Sequence, residues 1–486
     1  MPGARWALPA AKSVVAACVL VGFLGARAQQ TLPPVEVVGT TPLAGSDQPL
    51  REVAGNARTY SSRDLGEGAG IAGFLGDRAA SFTVEDPQGN RAAAEISYRG
   101  FTASPLLGAA QGLSVFVDGV RVNEAFGDIV NWDLIPRNAV ASVSVMPGSN
   151  AVFGLNTLGG ALALATKSGT THPGTEIDAG LGSWGRRSMD IAHGSAGRSV
   201  DGFFAASIQD ERGWREHSAT RLRQFFGELG WRDERTRLRL TVNAADNSLN
   251  GTQALPLSFL DTPRAAYTWP DWTTNRLAAV TITAARTIGV EQSLSASVFA
   301  RRLRTDGLNS NVNDACTDTD CSGNALNDAF SSDERRTGVG VQWLWRNRVA
   351  GLSNRTLAGA TFEAGRVHFV GTEQPAQFDT TRGTEPVGDF AVTVAARTEH
   401  RYRTVFVTDT LSLTDALHVT LSGTHLATRV SVRDASGDAP DLNGDHRFGR
   451  FNRALGAAWS PDAAVTGFAS FSEGLRAPTA IELTCA

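Results

Sequence analysis

The sequence predicts a transmembrane antiparallel β-barrel with a small α+β domain folded inside its lumen. Three observations carry this expectation: an export signal at the start, a mixed helix-and-strand segment over residues 51–169, and a long run of alternating strands over residues 172–486.

The export signal occupies residues 1–28. It holds Arg5 and Lys12, an apolar run from Val14 to about Gly25, and Ala26-Arg27-Ala28, with small residues at the two positions a signal peptidase reads. The mature chain is expected to begin near Gln29. A lipoprotein box at Val15-Ala16-Ala17-Cys18 is the rival reading, but most of the apolar run follows Cys18 instead of preceding it. No other stretch reaches the roughly 18 apolar residues that a membrane-spanning helix needs. Loss of Arg5, Lys12 and Arg27 leaves 42 basic against 49 acidic side chains, a net charge of −7. A mildly acidic exported chain has no footprint for nucleic acid.

Residues 29–50, "QQTLPPVEVVGTTPLAGSDQPL", are rich in Pro, Gly and Thr, with one β-branched patch at Val35-Glu36-Val37-Val38. They are expected to form a flexible, extended arm. In 51–169, "SSRDLGEGAGIAGFLGDR" has a Ser/Asp-rich start and loosely periodic apolar residues. "AAEISYRGF" and "GLSVFVDGVRV" read as strands, and "AVASVSVMPG" alternates ahead of a Gly turn.

Beyond residue 172 the period becomes two. In "RTRLRLTVNAAD", Leu238, Leu240, Val242 and Ala244 share one face, while Arg237, Arg239, Thr241 and Asn243 share the other. "EQSLSASVFARR" and "ALHVTLSGTH" repeat the pattern. Trp184, Trp231, Trp343, Trp345 and Trp459 sit near segment ends, as an interfacial girdle would. Short connections such as "RDERT" and "SLTDA" trade with long ones at 246–273, 303–333, 370–400 and 433–449.

Cys316 and Cys321 lie in the polar run "NSNVNDACTDTDCSGNALND" and are expected to form a loop disulfide in an oxidising compartment. The alternative is a metal pair, which lacks a nearby His. Cys485 has no partner in sight. "GLGSWG" at 180–185 spells a dinucleotide fingerprint in a strand-turn-strand context, and "DLNGD" at 441–445 fits a calcium loop badly. No catalytic constellation, metal site or cofactor is expected.

An α+β domain ahead of an exported barrel suits a plug, and here the chain resembles the TonB-dependent outer-membrane receptors. The resemblance rests on "YRGF" at 98–101, "LSVFVDGVRVN" at 113–123, "IPRNAVASVSVMPGSNAVFGLNTLGGALALATKSG" at 135–169 and "FSEGLRAPTAIEL" at 471–483. Its plug-motif residues are Arg99, Gly100, Phe101, Asp118, Gly119, Gly148, Gly154, Gly159 and Gly160. One departure is Pro147-Gly148-Ser149, where the family usually has Arg-Gly-Pro.

The resemblance makes "PPVEVVGT" at 33–40, with Pro34, Val35, Glu36, Val37 and Val38, an energy-coupling box that pairs with the periplasmic TonB protein as an added strand. It implies residence in the outer membrane of a Gram-negative bacterium and energised import of a scarce small molecule, foremost a ferric siderophore or other iron chelate. A corrinoid, another metal complex or a glycan is the alternative cargo. A passive porin or a surface adhesion protein is the alternative class, and no enzyme is implied. Inward arginines such as Arg237 and Arg239 are expected to solvate the lumen wall and pair with plug acids such as Glu124 or Asp128. The sequence yields roughly 13 candidate strands against about 22 in plugged transporters, so an incomplete barrel and a C-terminally truncated chain are expected.

Overall fold

The computed structural model describes residues 37–43, 45–65, 70–149, 151–316, 323–462 and 464–484. Its first part is a small α+β unit in chain order β1 (Val37–Gly39), β2 (Asp47–Pro49), β3 (Arg58–Ser61), α1 (Gly70–Arg78), β4 (Phe82–Glu85), β5 (Glu95–Tyr98), β6 (Phe101–Ala103), β7 (Leu113–Val117), β8 (Val120–Arg121), β9 (Val140–Pro147) and β10 (Gly160–Thr166). The central sheet runs β3-β9-β10-β7-β8, and its β10–β7 pair is parallel. A second sheet of β4, β5 and β6 packs with α1, which buries Ile71, Ala72, Phe74 and Leu75. Leu75, Ile96, Val115, Val130 and Val143 are fully buried in the shared core, and burial of that order is what holds so small a unit together.

The second part is one antiparallel sheet of 14 strands. Thirteen follow each other in sequence order from Gly174–Leu181 to Gly467–Ser472, and the fourteenth, Thr384–Pro386, pairs only with the strand Leu352–Phe378. Among the described residues the first and last strands do not pair with each other. The alternation read from the sequence sets the two faces: Leu238, Leu240 and Val242 are 41%, 37% and 40% exposed, whereas Thr241 is buried. The outward face is apolar because it meets lipid, and the polar inward face meets the small unit in the lumen. No helix among the described residues is long and apolar enough to cross a membrane.

Strands run further than expected. Pairing continues to Gly251–Asp271, Val312–Ala325 and Val432–Gly444, and Ala325–Val349 and Leu352–Phe378 reach 25 and 27 residues. The long connections therefore shrink to 252–270, 313–324, 379–390 and 435–443. Polar residues past the lipid keep their cross-strand backbone bonds, so polarity alone does not end a strand. Trp231, Trp343, Trp345 and Trp459 all sit at the short-turn end, while Trp184 lies in a turn at the opposite end.

The arm also differs from expectation. Val37–Gly39 pairs antiparallel with Asp47–Pro49, and Val38, 1% exposed, packs among Ala57, Phe116, Met146, Phe153 and Ala161. Residues 37–50 are thus folded onto the plug, because an apolar Val38 has a pocket to fill. Pro34, Val35 and Glu36 lie outside the described residues.

Candidate functional site

The site is the interface between the plug and the sheet that surrounds it. Two-residue turns shape the plug side. Arg99 and Gly100 take φ 52° and 85° between β5 and β6, and Asp118 and Gly119 take φ 47° and 84° between β7 and β8. Both are the left-handed pairs that a tight hairpin needs. A side chain at Gly119 would also stand 2.9 Å from the Pro42 carbonyl oxygen. The Asp118 carboxylate accepts hydrogen bonds from the backbone N–H and hydroxyl of Thr166, closing the turn onto the end of β10.

Gly148 and Gly154 occupy left-handed turns, and Gly160 begins β10 with its would-be Cβ 2.6 Å from the Met146 oxygen. The space beside Gly159 is taken by the Phe101 side chain. These motif residues are brought together as the frame of the plug, not as a ligand pocket.

Arg239 meets the plug at a different acid from those expected. It pairs with Glu228 on the wall at 3.2 Å and lies 3.7 Å from Asp118, and it donates to the Thr166 hydroxyl at 3.1 Å. Arg237 is exposed and, among the described residues, reaches only the Thr170 hydroxyl at 3.5 Å. Glu124 and Asp128 are served by other groups: Asn131 donates to Glu124, and Arg121 holds Asp128 at 2.6 Å while Asn156 donates to it at 3.0 Å.

The tightest contact is a clamp on residues 121–125. Arg336, 1% exposed, donates to the carbonyls of Asn123 (2.6 Å) and Arg121. Arg301 donates to the Val122 carbonyl at 2.8 Å, and the Ala125 N–H donates to Glu334 at 2.6 Å. Glu334 lies 3.8 and 3.9 Å from Arg301 and Arg336. Burial, reinforced by the neighbouring Glu334 charge, pushes the Glu124 carboxyl up.

A second anchor is Asp133. It accepts from Asn247 at 2.9 Å and from Asn275 at 3.1 Å, and burial pushes its carboxyl up to about 6. The strand parity of Glu334 and Arg336, opposite to outward Val339 and Val341, was the available signal for the clamp. Asp133 carried none.

The two ends of the plug are held separately. At the short-turn end Thr41 donates to Gln342 at 2.7 Å and Arg355 donates to the Gln48 side chain at 2.9 Å and to the Asp47 carbonyl at 3.0 Å. At the long-connection end Asn90 donates to Thr220 at 2.9 Å and to the Asn250 carbonyl at 2.8 Å. The long connections themselves gather cationic and aromatic groups. His217 stacks on Trp269 at 4.2 Å, and the Arg382 guanidinium lies over Tyr267 and Phe378 at 4.3 and 4.9 Å. Cys316 is disulfide-bonded, and its expected partner Cys321 lies outside the described residues. The described residues contain no cluster of groups suited to a metal ion.

A family model described as the TonB-dependent receptor plug domain matches residues 49–161, and one described as the TonB-dependent receptor-like β-barrel matches residues 214–486. The vitamin B12 transporter BtuB of Vibrio cholerae serotype O1 is 34% identical over 83 residues, which is 17% of this chain and 14% of that protein. The solved ferric citrate transporter FecA, unliganded, has a TM-score of 0.71 at 13% identity, over 87% of this chain and 63% of its own. The ferric preacinetobactin receptor BauA from Acinetobacter baumannii gives 0.70 at 13%, over 89% and 65%. The ferric-catecholate import receptor Fiu from E. coli K12 gives 0.71 at 12%, over 89% and 71%. At such identities the likeness is one of fold, and the chain spans less than two thirds of the FecA length. With a plug pinned at both ends inside an alternating sheet and both family models matched, the chain belongs to the TonB-dependent receptors, a family of outer-membrane transport receptors.

Proposed function

We propose that the protein imports a scarce iron chelate across the outer membrane, using energy delivered by TonB to the segment around Val35–Val38. The observation that carries this reading is the clamped plug: its Ala125 N–H and the carbonyls of Arg121, Val122 and Asn123 are held by three charged wall residues, Glu334, Arg301 and Arg336. A passive channel has no use for such a closure. The strand β1 is hydrogen-bonded on one side only among the described residues, to β2, which leaves an edge for a partner strand.

An iron chelate is favoured by the cationic and aromatic groups on the long connections, which suit an anionic ligand with planar groups, and by neighbours named for ferric citrate, ferric preacinetobactin and ferric catecholates. The vitamin B12 transporter match supports a corrinoid as the second reading. The test is deletion of residues 33–40, with ferric chelates and a corrinoid offered in parallel. Loss of uptake with surface binding retained supports coupled import. Unchanged uptake overturns it in favour of a porin, and binding without accumulation by the intact protein identifies an adhesin.

A further inference from the structure

The polar bonds between plug and wall are unevenly spread. Seven consecutive strands, from Val200–Glu211 to Leu352–Phe378, each carry at least one. The Ala206 carbonyl accepts from Asn138, Gln224 donates to the Asp133 carbonyl, and Asn247 and Asn275 donate to the Asp133 carboxylate. Arg301, Arg336 and Arg355 serve the remaining three strands. The two strands next in sheet order, Ala391–Ser412 and Leu417–Asp434, give the plug no hydrogen bond or ion pair among the described residues.

Cavities stand there in place of bonds. The lower one lies between Gly119, Arg121 and Phe153 of the plug and Glu363, Tyr402 and Thr428 of the wall, and Pro42 from the β1–β2 connection closes its short-turn end. The upper one lies between Asp128 and Asn156 of the plug and Tyr402, Thr428 and Val430 of the wall. Leu426 lines the lower cavity and Val430 the upper, so the two succeed each other along Leu417–Asp434 away from the short turns. Tyr402 and Thr428 line both, and the cavities meet at these side chains. Three buried atoms in their walls, Arg121 Nε, Glu363 Oε2 and Thr428 Oγ1, have no hydrogen-bond partner among the described residues. Buried polar atoms of this kind are served by water, so the seam is wet. Opening it breaks no hydrogen bond between plug and wall, whereas opening the clamp side strands Glu334 and Arg336.

We propose that cargo crosses along Ala391–Ser412 and Leu417–Asp434, through a constriction formed by Tyr402 and Thr428, while the plug stays docked on the other seven strands. This rests on the import reading and adds which face of the plug yields. The test locks one face at a time, in cells carrying the full-length receptor with Cys485→Ser. Gly154→Cys with Thr404→Cys bridges the seam, where a Cβ on Gly154 stands 4.0 Å from the Thr404 hydroxyl oxygen. Asn90→Cys with Thr220→Cys bridges the docked face, where the two side chains meet at 2.9 Å. Ferric citrate, a ferric catecholate and cyanocobalamin are the probes, each followed for surface binding and for accumulation.

Oxidation of the seam pair should cut accumulation by about tenfold with binding kept, and oxidation of the docked-face pair should change it by less than about twofold. Reduction should restore the seam pair, which makes each pair its own control for folding. Separately, Thr428→Cys should react with a charged, impermeant thiol reagent roughly tenfold faster in the coupled receptor than in the 33–40 deletion, and Asn275→Cys at the same rate in both. Undiminished accumulation by the oxidised seam pair, its loss in the oxidised docked-face pair, or equal reactivity of Thr428→Cys overturns the seam. Accumulation of no probe by the unmodified receptor overturns the import reading instead, and the thiol rates then decide alone whether the seam opens.

Discussion

Replacing Arg336 by Met should loosen the plug while sparing the barrel. The guanidinium is 1% exposed, satisfies two plug carbonyls and faces Glu334 at 3.9 Å. Its removal leaves Glu334 buried with Arg301 alone and strands the Asn123 and Arg121 carbonyls. Breaking a buried pair from one side costs about 3–5 kcal/mol, which is roughly two to four orders of magnitude in the population of the undocked plug. Amide hydrogen exchange reads this directly: peptides covering 113–123 should exchange faster by about that factor, and peptides covering 236–251 should not change. Arg336→Met combined with Glu334→Gln should loosen the plug further, because buried Arg301 then loses the carboxylate 3.8 Å away and the Ala125 N–H loses its charged acceptor. Exchange of 113–123 within about threefold of the unmodified protein, or a double variant tighter than the single one, would refute the clamp.

Asp133 predicts a pH dependence. Its carboxyl is raised from 3.8 to about 6 in the folded state, so its contribution to docking is full below the unfolded value and is lost as pH rises through 6. Plug protection should fall by about 2–3 kcal/mol between pH 4 and pH 7, and Asp133→Asn should flatten that slope in hydrogen exchange. Val38→Ala removes two buried methyl groups, worth about 1.6 kcal/mol, and should raise the affinity of the TonB periplasmic domain for the intact receptor by roughly tenfold in calorimetry. Gly160→Ala meets the Met146 oxygen at 2.6 Å with φ at 152° and should destabilise the plug by more than about 1 kcal/mol in denaturant titration. Arg99, exposed at the tip of its turn, is the contrasting position: Arg99→Asn keeps a residue that tolerates positive φ and should change stability by less than about 0.5 kcal/mol.

Features with a short sequence range were legible. Arg99-Gly100 and Asp118-Gly119 announce two-residue hairpins, and the parity of Leu238, Leu240 and Val242 against Thr241 separates lipid from lumen. Features assembled across the chain were not. Glu124 was visible as a plug acid, but its neighbours Arg301, Glu334 and Arg336 lie some 180 to 210 positions away; their strand parity marks them as inward-facing, and nothing local says which plug residues they meet. Arg239 finds Asp118 for the same reason: the sheet register decides which acid it faces. Strand ends were misplaced because Asn, Ser and Asp above the membrane pair their backbones as well as valines do. Val38 was read as part of a free arm because a three-residue strand has no periodicity to betray its burial.

The β1–β2 hairpin has a mechanical consequence. Val37 is opposite Pro49, so the end of β1 nearest residue 36 and the exit of β2 toward the plug core lie side by side. Tension applied ahead of Val37 therefore opens this hairpin as a zipper, one rung at a time, instead of shearing all rungs together. Thr41 and Arg355 then release in turn, and the tether lengthens by roughly 45 Å for the stretch 37–49 before load reaches Arg58 on β3. The hairpin stores slack: a weak pull is absorbed as extension, and only a sustained one is transmitted to the plug sheet.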